Sequence, residues 1–287
     1  ASVASPGWIL AVWLAGAVVA ATGAATFAQL AALRPEAGGA YLYLREAFGP
    51  GLGFVYGWAL FAVLQSGSIA ALAVGFAHFF SRVVPALSME RELLHVGGFV
   101  LRGGHFSAVA AIAALTLLNI AGARLGSGAQ KALTGIKIGA LAALAVGGIF
   151  ISARMGNAAS LAAASSWSPA PSAAALGIAL LAALWAYSGW WNINFAAGEV
   201  RAPSRNIPLG MAAGMALVTL LYLAVNWVYV CAAPLSEIRG VVPVAERAAG
   251  ILFGAGAAPL IAAAAALSIL GALNGLIFMS PRAYFAM

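Results

Sequence analysis

The sequence predicts an all-α polytopic membrane protein with seven transmembrane helices. Hydrophobic residues make up 64% of the 287 positions and charged residues only 7%, whereas about 25% of the residues of a soluble domain are charged. Charges are absent from seven long stretches, 1–33, 47–81, 103–123, 138–153, 155–198, 206–236 and 248–281, and a spanning helix needs about 20 apolar residues. These stretches are continuous rather than alternating, which excludes the short strands of a membrane β-barrel.

Glycine, proline and charged residues mark where the seven predicted spans begin and end. Pro6 opens the first span, Arg82 closes the second, Lys131 marks the entry of the fourth and Arg282 lies at the end of the last. In chain order we expect the spans at 6–32, 52–82, 106–120, 130–152, 173–197, 207–232 and 257–284.

The connections between the spans are short. The stretch 85–104 is polar, 157–172 is a surface loop rich in Ala, Ser and Pro, and 241–253 has the pattern of an amphipathic helix at the membrane interface. Because no soluble domain fits in such connections, residues 1–287 are interpreted as a single transmembrane domain.

The net charge of +7 comes from 12 Arg and 2 Lys against 7 Glu. These charges mostly flank the spans and form no basic cluster that would follow a phosphate backbone, so a nucleic-acid partner is not expected. No Cys/His ligand spacing, phosphate-binding loop or intramembrane acid pair is present, so we expect no metal, no cofactor and no enzymatic activity. Of the basic residues that flank the spans, seven fall on one side of the membrane and six on the other, which leaves the orientation open.

Lys137 is the one charged residue well inside a predicted span. It lies about 9 Å further into the helix than Lys131, and an ionisable residue at such a depth is a functional candidate. The alternative is that its flexible side chain extends back to the interface. Gly135 and Gly139 flank it, a spacing that lets a neighbouring helix approach closely.

The segment Trp185–Phe195 interrupts an apolar stretch with Ser188, Gly189, Asn192 and Asn194. Glycine beside polar groups is where a membrane helix unwinds and frees backbone groups for a ligand. The alternative is an interfacial belt formed by Trp190 and Trp191, with the asparagines joining helices.

Asn274 is a second polar interruption, with Ser280 near the end of the same span. The simpler interpretation is one interhelical hydrogen bond together with a kink at Pro281.

Four stretches occur in the order typical of one transporter family. They are Arg34–Gly49 with Gly57 and Trp58, Asn119–Gly122 with Gln130–Lys137, Tyr187–Trp190 continued by Gly198–Pro208, and Asn274 and Gly275 with Ser280–Arg282. Together they resemble the amino acid/polyamine/organocation permeases, closest to the L-type amino acid transporter branch. The resemblance covers family helices 2 to 8, and it implies a partial inverted-repeat fold that is incomplete at both ends, without helix 1 and helices 9 to 12.

The resemblance also implies a function and a site. It implies secondary transport of amino acids by alternating access, in the cell membrane, with half of the substrate site formed by Tyr187, Ser188, Gly189, Trp190 and Asn192. It implies that the Lys137 ammonium stands in for a sodium ion, together with polar groups near Asn274 and Ser280.

Several features of the function stay open. Since no carboxylate lies well within the predicted spans, a neutral amino acid is favoured over a cationic one, while exchange and proton-coupled symport both remain open. A partner subunit is not predicted. The alternative functions are a seven-helix receptor-like protein and a membrane scaffold that does not transport; a retinal photoreceptor is disfavoured because 259–287 contains no lysine.

Overall fold

The structure, a computed structural model, describes residues 5–154, 167, 169–233, 235–238, 244–254 and 256–287. Within these residues, seven helical segments are long and apolar enough to cross a membrane, which confirms the predicted polytopic helical fold. They are Pro6–Leu33, Pro50–Val83, Gly103–Ile120, Ala123–Arg154, Ala173–Glu199, Pro203–Ala232 and Ala257–Phe285. The fourth begins at Ala123, seven residues before the predicted start, because the helix continues through the polar turn that holds Arg124 and Ser127.

The helices are labelled α1 to α11 in chain order. They are α1 (Pro6–Leu33), α2 (Ala40–Phe48), α3 (Pro50–Ala59), α4 (Ser66–Val83), α5 (Gly103–Ile120), α6 (Ala123–Arg154), α7 (Ala173–Ala186), α8 (Pro203–Ala232), α9 (Leu235–Ile238), α10 (Val244–Phe253) and α11 (Ala257–Phe285). A π-helical turn, Leu60–Gln65, joins α3 to α4 within the second span, and a 3₁₀ segment, Trp190–Glu199, follows α7.

The polar stretch between the second and third spans contains a hairpin that the sequence analysis did not predict. Strands β1 (Glu92–Val96) and β2 (Phe99–Arg102) pair antiparallel. Gly97 and Gly98, both at positive φ, form the two-residue turn, as is typical of tight hairpins.

Two other connections were predicted. The surface loop at 157–172 lies mostly outside the described residues. Of the predicted interfacial helix at 241–253, the described part forms α10.

The described residues divide into two compact units. The first comprises Ala1–Pro35, Leu141–Trp191 and Val200–Ala258, and here α1 packs against α7 and α8 while α10 packs against α8. Its core includes Val228, Ala248 and Leu252. A side chain at Gly148 would collide with Val228, so this glycine allows α6 to approach α8 closely.

The second unit comprises Glu36–Ala140, Asn192–Glu199 and Pro259–Met287. Its core is formed by α4, α5 and α11, with Phe76, Ala77, Ala108 and Leu273 buried together. The alanines of this core, including Ala77 and Ala108, are small and let the three helices approach closely, as in other membrane bundles.

Candidate functional site

The fifth span is broken where the sequence predicts an interruption. Helix α7 ends at Ala186, Tyr187–Gly189 form a turn, and the 3₁₀ segment begins at Trp190. Gly189 has φ of 100°, a conformation that glycine adopts without the steric cost of a Cβ. The Ser188 hydroxyl donates a hydrogen bond to the Trp185 carbonyl over 2.7 Å, which closes the last turn before the break.

Aromatic side chains hold the first residue of the break. The Tyr222 hydroxyl on α8 donates a hydrogen bond to the Ala186 carbonyl over 3.0 Å. The Trp13 ring on α1 lies 5.1 Å from the Tyr222 ring and 5.8 Å from the Tyr187 ring, in both cases edge to face. One carbonyl at the break is therefore used by the protein itself, and the Tyr187 ring is fixed from two sides.

Two glycines on α1 form the surface on which the break rests. A Cβ at Gly16 would lie 3.2 Å from the Ala183 Cβ, and a Cβ at Gly23 would lie 2.8 Å from the Trp190 ring. The Phe27 ring then contacts Trp190 with 5.3 Å between centroids. The sequence analysis missed these glycines, although their spacing of seven residues places both on one face of α1.

The second unit holds the residues that follow the break. The Asn194 side-chain amide donates a hydrogen bond to the Tyr43 hydroxyl over 3.3 Å, and the Gly38 amide donates to the Phe195 carbonyl over 3.3 Å. Burial raises the pKa of the Tyr43 hydroxyl, and the hydrogen bond from Asn194 opposes this shift. The Asn192 Oδ1 atom is buried and accepts no hydrogen bond from the described residues.

An ion pair closes the end of this segment. Glu199 accepts hydrogen bonds from Arg282 Nε over 2.6 Å and from Arg282 Nη2 over 2.8 Å. The guanidinium also lies 4.0 Å from the centre of the Phe278 ring and donates to the Phe278 carbonyl. Arg282 is therefore held on three sides in a geometry specific to a guanidinium.

Asn274 is the centre of a buried amide chain. Its Nδ2 donates to the Gly126 carbonyl over 3.3 Å and to Gln130 Oε1 over 2.8 Å, and its Oδ1 accepts from Asn119 Nδ2 over 2.9 Å. Asn119 Nδ2 also donates to the Leu115 carbonyl over 2.7 Å. Because backbone carbonyls only accept, the Gly126 and Leu115 carbonyls fix which end of each asparagine is the nitrogen, and Gln130 Nε2 is then directed toward Thr134 at 3.5 Å.

Lys137 continues the seam along which α6 packs on α11. Gly271 lies against Leu133, and Gly275 lies against Gln130, so the two helices run antiparallel along this seam. Lys137, which is half-buried, lies one turn beyond Leu133 on α6, and extending the same register by one turn would bring it level with Ser268. The described residues provide no hydrogen bond or ion pair to its ammonium group. Ser268 was not singled out from the sequence, because its position opposite Lys137 depends on this register.

The residues predicted from the sequence fall into separate groups. Tyr187, Ser188, Gly189 and Trp190 form the break in the first unit, whereas Asn192 belongs to the second. Lys137 and Asn274 lie on the same seam, about 9 Å apart along the helix axis.

Ser280 does not join this seam group. It lies about 18 Å from the level of Lys137 along α11, and its hydroxyl donates to the Leu276 carbonyl of the same helix over 2.6 Å. Asn119 and Gln130, which were quoted only as parts of motifs, are the partners that the structure adds.

A family model described as amino acid permease matches residues 1–287. The chain is 30% identical over 283 residues to b(0,+)-type amino acid transporter 1 of Oryctolagus cuniculus, an alignment that covers 95% of this chain and 54% of that protein. It is 29% identical over 279 residues to the serine/threonine exchanger SteT of Bacillus subtilis, covering 96% and 58%. It is 27% identical over 288 residues to large neutral amino acids transporter small subunit 2 of Mus musculus, covering 98% and 51%. The chain thus spans about half the length of the curated relatives it matches.

Proposed function

The chain belongs to the amino acid permease family, and from that premise we propose that it takes part in secondary transport of amino acids across the cell membrane by alternating access. The observation that carries this proposal is the break at Tyr187–Gly189 in the middle of a membrane span. In transporters, discontinuous helices of this kind supply backbone groups to a substrate near the bilayer midplane.

The substrate half-site comprises Tyr187, Ser188, Gly189 and Trp190, with Asn192 as a further polar contact. Two features support this assignment. Gly189 has φ of 100°, which interrupts the helix at this point, and the Asn192 Oδ1 atom is buried without a partner among the described residues. A substrate ammonium or hydroxyl group would satisfy such an acceptor, since unsatisfied polar groups are costly in a membrane.

The favoured substrates are neutral amino acids. Glu199 is the only acidic residue within the seven spans, and its carboxylate is already paired with Arg282. It is therefore not available to bind a cationic side chain. The names of two relatives, a serine/threonine exchanger and a large neutral amino acids transporter, agree with this choice.

Lys137 provides a fixed positive charge for coupling. Its position on the α6–α11 seam, level with Ser268 and about two turns from Asn274, supports a role in holding these helices in one arrangement. An ammonium group within a span needs polar partners, and the Ser268 hydroxyl is the polar side chain that the register brings opposite it.

The test is uptake of labelled serine by proteoliposomes that contain the full-length protein carrying this sequence. Gly189→Val should lower uptake at least tenfold, because a β-branched residue at φ of 100° costs about 1–3 kcal/mol and changes the break. Gly177→Val is the matched control, since it lies on the same span with open space around it. Equal uptake by the two variants would overturn the assignment of the substrate half-site to the break.

The same vesicles distinguish the two coupling modes. Exchange predicts that serine loaded inside the vesicles stimulates uptake, whereas proton symport predicts stimulation by an acidic exterior. Absence of uptake under both conditions by the unmodified full-length protein would overturn the transport proposal itself.

A further inference from the structure

A long apolar groove runs between α1 and α8 in the first unit. It encloses about 730 Å³, which lies within the range of small-molecule sites, about 300–1,000 Å³. Its walls consist mostly of alanine and methionine side chains, with Ala21 and Ala24 on α1 and Met211, Met215 and Ala216 on α8. On α1 the groove lies on a different face from Gly16 and Gly23, against which Tyr187 and Trp190 pack. On α8 it reaches Thr219, whose side chain is a neighbour of Tyr187.

The dimensions of the groove suit an extended hydrocarbon chain. On α1 it extends from Leu14 to Gln29, which corresponds to about 22 Å along the helix axis. One leaflet contributes about half of a hydrocarbon core that is about 30 Å thick. The groove is therefore longer than the hydrocarbon layer of one leaflet, and an acyl chain that enters at one end can lie entirely within it.

The two ends of the groove differ in charge. At one end, Gln29 and Pro208 line the wall, and Arg205 and Arg201 lie three and seven residues before Pro208. Both arginines are exposed, and neither guanidinium group forms an ion pair with any residue that the structure describes. The nearest acidic residue in the sequence, Glu199, is paired with Arg282.

The opposite end carries no charge. It is formed by Leu14 and Leu220, and the charge-free stretches 1–33 and 206–236 continue beyond both residues. An occupant that matches this asymmetry has one anionic end and one long apolar end. Basic residues at a membrane surface attract anionic lipids in the same way.

We propose that the α1–α8 groove binds an anionic phospholipid, with an acyl chain between Ala21 and Ala216 and its phosphate at Arg201 and Arg205. The lipid would join α1 to α8. Its binding would stabilise the first unit whether or not the protein transports amino acids, so the inference does not depend on the proposed function.

The experiment uses the full-length protein carrying this sequence, purified in detergent and freed of lipid. Native mass spectrometry measures the affinity for dioleoyl phosphatidylglycerol and for dioleoyl phosphatidylcholine, and thermal unfolding measures the stabilisation that each lipid gives. We expect phosphatidylglycerol to bind more tightly and to raise the unfolding temperature further.

Two pairs of variants locate the site. Arg201→Gln with Arg205→Gln should weaken phosphatidylglycerol binding about 30-fold, since each basic residue near the surface contributes roughly fivefold, and should leave phosphatidylcholine binding unchanged. Arg91→Gln with Arg124→Gln removes the same charge from exposed positions in the second unit and should have no such effect.

The second pair tests the apolar part of the groove. Ala216→Phe fills the groove and should abolish binding of phosphatidylglycerol, whereas Ala213→Phe lies on the same helix outside the lining and should not. Equal affinity for phosphatidylglycerol and phosphatidylcholine would overturn the proposal that the site binds an anionic headgroup. An equal loss of phosphatidylglycerol binding in the two double-arginine variants would overturn it as well. Unchanged binding in Ala216→Phe would overturn the groove as the site.

Discussion

Replacing Asn274 by leucine should destabilise the second unit strongly, because a single side chain forms three hydrogen bonds there. Asn274 is fully buried, and it bonds Asn119, Gln130 and the Gly126 carbonyl over 2.9, 2.8 and 3.3 Å. Leucine has a similar volume, so the change removes polar partners without creating a large cavity.

The magnitude follows from the number of bonds. Hydrogen bonds within membrane proteins contribute about 0.6 kcal/mol on average and up to about 1.7 kcal/mol. Three such bonds amount to about 2–5 kcal/mol. Gln130 Oε1 would also be left as an unpaired acceptor, which favours the upper part of this range.

The assay is the free energy of unfolding, measured by titration with sodium dodecyl sulfate in mixed micelles. The matched control is Asn226→Leu on α8, whose side-chain nitrogen donates only to the Tyr222 carbonyl of its own helix and whose loss should cost about 0.6 kcal/mol or less. A double-mutant cycle with Gln130→Leu should give a coupling of at least about 0.6 kcal/mol. An Asn274→Leu variant no less stable than Asn226→Leu would refute the role of the amide chain.

Two further predictions test the contacts of the break and of the segment after it. Gly23→Val should lower the free energy of unfolding by about 1–3 kcal/mol through overpacking against Trp190, whereas Gly210→Val, which meets open space, should not; equal effects would mean that the Trp190 contact is unimportant. Alanine substitutions at Arg282 and Glu199 should show a coupling of about 1 kcal/mol in a double-mutant cycle, near the top of the range for pairs with an exposed partner because the geometry is bidentate. A coupling near zero would show that the ion pair does not stabilise the segment.

Much of the fold could be predicted from the sequence because hydropathy and helix length are local properties. The seven spans follow from charge-free stretches, and the break at Gly189 follows from a glycine beside polar residues. The β1–β2 hairpin was missed, although Gly97 and Gly98 between two apolar runs are a hairpin signal. Its strands are short, and the charges around them led us to describe the stretch 85–104 only as polar.

The contacts of the candidate site were less predictable. Gln130 and Asn274 are 144 residues apart in sequence, and nothing local to either residue indicates the other. The same holds for Gly23, whose closeness to Trp190 depends on how α1 packs against the break. The register of α6 on α11, which pairs Gly271 with Leu133 and Gly275 with Gln130, likewise depends on packing that no local pattern indicates.

The amide chain also constrains how this protein is made. Asn119 and Asn274 are separated by 155 residues, so at about 5–20 residues per second the ribosome completes Asn119 roughly 8 to 31 s before its partner. During that interval Asn119 on α5 lacks the acceptor, and Gln130 on α6 lacks the donor, that Asn274 later provides. Insertion of the span that holds Asn274 therefore satisfies these amides, and a nascent chain that stalls before Asn274 would leave them exposed to lipid.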